Sequence, residues 1–277
     1  MINQGKIIKQ ISNDYTVKVD NQLIICKARG KFRNLGVTPL VGDNVLFENN
    51  YILEILPRKN ELIRPSIANV DQAVIVMSTT IPAFSTDLLD RLLCIIEYNN
   101  IKPIIYISKM DLLNQEQINV INKYIDYYKK IGYFVYTDLS IKEVFKNKIT
   151  VFVGQSGAGK STLLNKLDNN LHLQIGEVSI ALGRGKHTTR HVELIELLDG
   201  MIADTPGFSK LSFIDMTDSD IRDNFIEFNE YKELCEYQDC MHKNEDNCEI
   251  KRQVKNSNIL EERYNNYIKF IENKVIK

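Results

Sequence analysis

Gly154-Gln-Ser-Gly157-Ala-Gly159-Lys160-Ser161-Thr162 has the residue types and spacing to cradle phosphate. Thr150-Val-Phe-Val precedes it with β-forming character, and Leu-Leu-Asn after it opens a helical pattern. Strand, glycine-rich loop and helix therefore follow in the order that the G-x-x-x-x-G-K-[ST] signature requires. Gly154, Gly157 and Gly159 permit backbone angles that a Cβ would forbid, so that N–H groups turn inward onto phosphate oxygens. The helix adds its positive end. Lys160 can reach the β- and γ-phosphates and assist the chemistry there, and the Ser161 hydroxyl is placed to ligate Mg²⁺. Gln155, Ser156, Ala158 and Thr162 complete the expected nucleotide contacts. An incidental glycine-rich turn is the competing reading, and the flanking strand and helix speak against it.

A second group, Ser108-Lys109-Met110-Asp111, ends the apolar run Pro103-Ile-Ile-Tyr-Ile, at the carboxyl edge where α/β ligand sites form. A carboxylate there can accept two hydrogen bonds from the N1–H and 2-amino group of guanine. Adenine offers no such pair, so Asp111 can discriminate strongly between the bases. The aliphatic stem of Lys109 can lie over the purine face. By itself the tetrapeptide also fits a helix cap, with Asp111 opening Leu-Leu-Asn-Gln-Glu. Thr137, Asp138 and Ser140 are candidates for the base's other side, and their spacing does not choose among them.

A third group follows the phosphate loop. Gly183-Arg-Gly-Lys-His187-Thr188-Thr189-Arg190 is glycine-rich and flexible, and either threonine can give the metal a hydroxyl while the γ-phosphate is present. The strand Met201-Ile-Ala-Asp204 leads into Thr-Pro-Gly207. Asp204 can hold the Mg²⁺ water shell and the Gly207 N–H can meet the γ-phosphate, although a plain turn is the alternative. Phe208 follows Asp-Thr-Pro-Gly and has no amide with which to orient water, so slow intrinsic hydrolysis is expected. His187, of suitable pKa, is the candidate to position water; a backbone or RNA contact is its other reading.

Cys235-x₄-Cys240-x-His242-x₅-Cys248 places three thiols and an imidazole within fourteen positions, a donor set suited to tetrahedral Zn²⁺ with no open coordination site. The expected role is structural.

The elements that must position these groups can be read from periodicity. Residues 1–66 carry five short β patterns, at Gly5–Lys9, Asp14–Val19, Leu23–Ala28, Asp43–Glu48 and Tyr51–Leu56, which suits a small barrel of OB-fold size. Lys27, Arg29, Lys31, Phe32 and Arg33 form a basic stretch around one ring, able to bind RNA or to be a solvated hairpin. Arg58–Pro65 reads as a linker. Asp71–Met77 is an apolar run typical of a strand buried on both faces, followed by an amphipathic helix at Thr86–Tyr98 and the strand at Pro103–Ile107, which predicts a parallel α/β sheet over 67–214. Further on, residues 215–277 hold the cysteine segment and a helical stripe of Leu260, Tyr264, Tyr267, Ile268 and Ile271, read as a docking face.

Composition sets bounds on all of this. The 277 residues are 44% hydrophobic and 26% charged, ordinary for a globular protein of two or three domains. A formal net charge of −1 gives no global attraction to nucleic acid, so RNA contacts must be local. The start lacks a secretory apolar core and no run reaches membrane-spanning length, which points to a cytoplasmic monomer with no membrane partner. Of five cysteines, Cys26 and Cys94 lie in apolar surroundings and read as buried small hydrophobes.

Together, Ser-Lys-Met-Asp, Gly-Gln-Ser-Gly-Ala-Gly-Lys-Ser, Gly-Lys-His-Thr-Thr-Arg and Asp-Thr-Pro-Gly resemble the elements of a GTPase whose base-reading motif precedes its phosphate loop, a circular permutation. With the barrel and the cysteine segment, the chain closely resembles the RsgA (YjeQ/YloQ) family of ribosome small-subunit-dependent GTPases. That resemblance implies GTP/GDP, Mg²⁺ and one zinc as cofactors. It also implies the small ribosomal subunit and its rRNA as partners, and hydrolysis stimulated by the subunit during late assembly. Ser108 departs from the usual Asn of the base motif. A nucleic-acid-binding P-loop ATPase with a zinc module, unconnected to ribosomes, is the alternative; a small-molecule phosphotransferase lacks any acceptor-site feature.

Overall fold

The computed structural model describes residues 2–34, 36–63, 66–168, 171, 192–204, 213 and 216–273, without the side chains of Arg33, Asn34, Ile63 and Asp204. The chain divides into two compact units, Met1–Val76 with Asp138–Lys210, and Met77–Thr137 with Leu211–Lys277. Among the described residues no helix is long and apolar enough to cross a membrane.

The first unit begins with the barrel. Its strands are Asn3–Ile11, Asp14–Val19, Gln22–Ala28, Asn44–Glu48 and Tyr51–Ile55. The first three pair antiparallel in succession, the third runs parallel to the fifth, and the fifth is antiparallel to the fourth. The fourth returns to the first with Asn3 opposite Phe47, which closes the barrel and leaves no free edge. Alternation sends Ile7, Val17, Cys26, Val45 and Ile52 inward, all fully buried. Strand crossing is tight at Gly5, where a Cβ would stand 2.5 Å from Val17 Cγ1.

Part of the stretch expected to be a linker, among the described residues, forms a strand. Glu61–Ile63 pairs antiparallel with Ser66–Ala68, and Arg58 Nε and Nη2 each donate at 2.7 Å to the carboxylate of buried Asp43. A buried carboxylate needs such a bidentate partner, and the charge on Arg58 supplies it.

The strands Ile149–Val153 and Gly200–Asp204 run parallel, as do Ile149–Val153 and the Gln72–Ser78 strand, with Val151 in register with both Ala73 and Ala203. Continuous apolar runs suit a sheet covered on both faces, and Ala73, Val74, Ile75 and Val76 are fully buried. Gln72 is the polar exception, satisfied by donating to Val144 O at 2.8 Å and Thr150 Oγ1 at 2.9 Å. Glu193–Leu197 forms a hairpin with Gly200–Asp204 and meets the barrel through Lys9, opposite Glu193 in register and ion-paired to it at 2.7 Å.

In the second unit the strands Lys102–Ser108 and Phe134–Tyr136 are parallel and the helices Thr86–Tyr98 and Gln115–Lys130 flank them in sequence. Four short helices, Asp218–Asp223, Phe228–Tyr231, Glu249–Lys255 and Glu261–Glu272, form the C-terminal part. The tail stripe is used within the chain: Tyr267 and Phe270 enter a core with Cys94, Ile221, Phe225 and Phe228, while Tyr264, Ile268 and Ile271 pack against it. The cysteine segment therefore shares a core with the helix Thr86–Tyr98, through Cys94, Cys240 and Cys248.

One ionic group fastens that core. Arg263, 1% exposed, donates from Nε and Nη2 to Glu227 at 2.6 and 2.9 Å and from Nη1 to Asp90 at 2.6 Å. Asp90 also accepts from Tyr128 Oη at 2.6 Å and Asn266 Nδ2 at 2.7 Å. Burial acts to lower the Arg263 pKa, but Glu227 and Asp90 outweigh it and keep the guanidinium charged. Replacing Arg263 with Met should cost about 3–5 kcal/mol, because two carboxylates would be left buried without their cation. Equilibrium denaturation monitored by far-UV circular dichroism checks this; a loss within 1 kcal/mol or less, by the same estimate for a surface pair, would mean the triad is energetically neutral.

Candidate functional site

The phosphate loop sits at the carboxyl end of the Ile149–Val153 strand. Gly154, Gly157 and Gly159 have φ of 133°, 77° and 100°, the left-handed region that the sequence requires of them. Gly154 is doubly constrained, since a Cβ on it would stand 2.3 Å from Val76 O. Gly159 is the cap of the helix Lys160–Leu167, which directs the helix's first N–H groups at the loop's concavity. Ala158 is buried and anchors the loop, whereas Ser156 and Gly157 are exposed and Gln155, Ser161 and Thr162 half-buried.

Lys160 curls over the loop and donates to Gly154 O and Gln155 O, both at 2.7 Å. Burial brings its pKa down to about 8. Asp204 ends a strand in register with the one feeding the loop, so its backbone lies beside the loop at the same sheet edge. The residues His187, Thr188, Thr189, Gly207 and Phe208, and the Asp204 side chain, lie outside the described ones.

The candidate base-reading turn, Ser108 to Asp111, is in the second unit. Ser108 is buried at the strand end, and Lys109 takes a left-handed conformation, φ 62° and ψ 29°, that swings the chain into a single 3₁₀ turn, Met110–Leu112. Asp111 is exposed on that turn. The cap reading is excluded: Asn114 caps the helix Gln115–Lys130, accepting from Gln117 N at 2.9 Å, while Gln117 Oε1 accepts from Asn114 N at 3.0 Å. With Asn114 in that role, helix capping gives no reason for a carboxylate at 111. Asp138, by contrast, is a cap, accepting from Ser140 N at 2.8 Å at the start of the 3₁₀ helix Leu139–Val144.

The metal-binding set is brought together as expected. The ligand atoms of Cys235, Cys240, His242 and Cys248 all lie within 4.8 Å of one another, and His242 Nδ1 is 3.6 and 3.4 Å from the sulfurs of Cys235 and Cys248. Burial pushes the Cys240 thiol up to about 12 and the His242 imidazole down to about 4, the pattern of a dry pocket in which a divalent cation would be the missing charge. Three sulfurs and one nitrogen at these separations fit tetrahedral Zn²⁺. Glu245 accepts from Met241 N and Lys243 N at 2.7 Å each, shaping the turn that carries His242. Tyr264 and Tyr267 donate to His242 O at 2.7 Å and Met241 O at 2.5 Å. Sequence reading placed those tyrosines on the helix stripe but missed the hydroxyls' targets.

One expectation is corrected. Phe32 is 6% exposed on a short helix, Lys31–Asn34, so it is no open platform for a base. Burial takes the apolar surface of the lone ring out of water while its basic neighbours stay solvated. Lys27, Arg29 and Lys31 remain exposed. Leu23 and Ile25, each 62% exposed, share the outer face of the third strand with Lys27.

Comparison with known proteins agrees with this geometry. Residues 55–214 match the family model described as RsgA GTPase, and residues 4–51 match the RsgA N-terminal domain. The small ribosomal subunit biogenesis GTPase RsgA 2 of Oceanobacillus iheyensis is 49% identical over 282 residues, covering 97% of this chain and 96% of that one. The corresponding RsgA of Enterococcus faecalis is 48% identical, over 97% and 94% of the two chains. Among solved structures, YloQ, described as a circularly permuted GTPase, superposes with a TM-score of 0.85 at 40% identity, covering 100% and 97%. YjeQ from Thermotoga maritima superposes with a TM-score of 0.87 at 30% identity over the whole of both chains.

The lowered Lys160 pKa has a sign that can be tested. Below about 8 the ammonium is charged and attracts phosphate; above it the neutral amine does not. Nucleotide affinity should therefore fall about tenfold between pH 7 and pH 9, and binding near pH 8 should take up protons. Isothermal titration in buffers of different ionisation enthalpy measures both effects, and a flat profile would show that Lys160 stays protonated throughout.

Proposed function

This chain belongs to the RsgA GTPase family, and from that membership we propose that it binds the small ribosomal subunit and acts in late assembly of that subunit. As a member of that family it is a GTP hydrolase, converting GTP to GDP and phosphate. The observation that carries the guanine assignment is the turn at Lys109, which presents Asp111 on an exposed turn while Asn114 takes the capping role.

In this reading the loop Gly154–Thr162 holds the phosphates, Lys160 neutralises charge gathering on the β- and γ-oxygens, and Lys109 and Asp111 hold the base. Ser161, Asp204 and one of Thr188 and Thr189 would hold Mg²⁺, which supplies Lewis-acid stabilisation of the transferred phosphoryl group. His187 positions the attacking water, which Phe208 has no amide to orient. Cys235, Cys240, His242 and Cys248 hold a structural Zn²⁺.

Three segments divide the labour: a barrel at 1–66 whose Lys27, Arg29, Lys31 and Arg33 meet rRNA backbone, the permuted GTPase region at 67–214, and a zinc-carrying helical region at 215–277. Loss of the γ-phosphate releases the threonine segment, and the chain after Asp204 transmits that change covalently toward the C-terminal helices. The protein works as a cytoplasmic monomer that leaves the subunit when GTP is hydrolysed.

Co-sedimentation with purified 30S subunits should show about tenfold more protein bound with a non-hydrolysable GTP analogue than with GDP. Equal binding would remove the nucleotide switch, and competition by ATP at the same concentration as GTP would favour an ATPase. Substituting His187→Ala should lower subunit-stimulated turnover about 10²-fold, the usual scale for a general-base or water-positioning group. An unchanged stimulated rate removes His187 from the mechanism.

A further inference from the structure

The base-reading turn departs from the common pattern at Ser108, and the structure shows what takes over the tethering an Asn amide would provide. Ser108 has one hydroxyl proton, and it points at Met77 O, 3.3 Å away. The carbonyls of the turn are held instead by Thr79, which follows the strand Gln72–Ser78. Thr79 N donates to Ser108 O at 3.3 Å, and Thr79 Oγ1 lies 2.9 Å from Lys109 O and 3.2 Å from Ser108 O. Lys109 Nζ also donates to Ile81 O, so the segment after Thr79 grips the same residue by its side chain.

This grip falls where the backbone needs it. A lysine at φ 62° carries a Cβ that the left-handed region disfavours, and such a residue holds its conformation only when its surroundings over-determine it. Thr79 Oγ1 on the Lys109 carbonyl is one such determinant. Asp111 is two residues further on, in the turn that Lys109 launches. A carboxylate reading N1–H and a 2-amino group together must be correctly oriented in its plane, and a rotation at Lys109 tilts it.

We propose that Thr79 is a positioning residue for base selection, its hydroxyl locking the Lys109 carbonyl beside the backbone N–H that holds Ser108 O, so that Asp111 meets both donors of guanine. This rests on the assignment of Asp111 as the base reader. The role predicts a base-specific defect. In Thr79→Val the shape is kept and the hydroxyl is lost; preference for GTP over inosine triphosphate, which lacks the 2-amino group, should shrink about fivefold or more, with the loss in KM and not in kcat. Thr79→Ser, which restores the hydroxyl, should recover the wild-type ratio.

A merely structural residue would weaken both nucleotides alike, so an unchanged GTP-to-inosine ratio in Thr79→Val overturns the proposal. Should the valine variant fail to fold, Thr79→Ala removes the hydroxyl without adding a methyl and gives the same readout. The underlying assignment is tested separately by Asp111→Asn. An amide can donate to the 2-oxo group of xanthine, so this variant should prefer xanthosine triphosphate to GTP. Absence of that exchange overturns the base assignment, whereas its presence beside an unaltered ratio in Thr79→Val overturns the Thr79 role alone.

Discussion

The register of one buried strand governs the first unit. Ile149–Val153 is buried along its whole length and runs parallel to its neighbours, with Val151 in register with Ala73 on one side and Ala203 on the other. Parallel strands have all their carboxyl ends at one edge, so the phosphate loop and the backbone of Asp204 are brought to the same edge by strand pairing. A slip of one residue would reverse which side chains face each layer, and the apolar content of these strands makes that costly. Gly154 records the tightness of the fit: the loop turns so close to the Val76 carbonyl that no side chain fits.

In the second unit the organising interaction is ionic. Arg263, Asp90 and Glu227 come from three different helices or helix boundaries and satisfy one another where water is absent. Such a triad adds little to net stability compared with a well-packed apolar core, but it penalises every arrangement in which one member is unpaired. It fixes the final helix on the helix Thr86–Tyr98. The final helix, Glu261–Glu272, in turn presents Tyr264 and Tyr267 to the carbonyls of His242 and Met241, so the turn that carries the candidate metal ligand His242 is held by the helix that supplies Arg263. Metal site and core are thus one construction, and a thiol cluster this dry is stable when a cation neutralises it.

The permutation gives these two arrangements their functional sense. In the usual order a base-reading motif follows the phosphate loop; here the candidate, Ser108 to Asp111, precedes it, and the candidate metal ligands come after Asp204 in sequence. The candidate nucleotide groups therefore all precede the candidate metal ligands along the chain. The Lys109 turn adds a second dependence, since an unfavourable backbone conformation is maintained by the Thr79 hydroxyl, 2.9 Å away.

Local features were legible in the chain. The three loop glycines, the lysine and the hydroxyls act through adjacent backbone, and the four metal ligands fall within fourteen positions, so their meaning is set over distances the sequence displays directly. Strand and helix identities followed from periods of two and 3.6, and the five-stranded barrel from the number and length of its strands. What depended on long separations was not legible. Sequence left Asp111 as either base reader or helix cap, and only the folded turn shows that Asn114, which the sequence reading passed over, receives Gln117 N. It set Phe32 among exposed cations, and the barrel drew the ring inward. Arg58 read as linker and proved to be the partner of Asp43, while Arg263 found Asp90 across 173 residues. Types and spacing determine which chemistry is available, since bond geometry and metal preference are local; packing alone decides which charges pair and which rings are buried, because those outcomes depend on neighbours that the linear order does not specify.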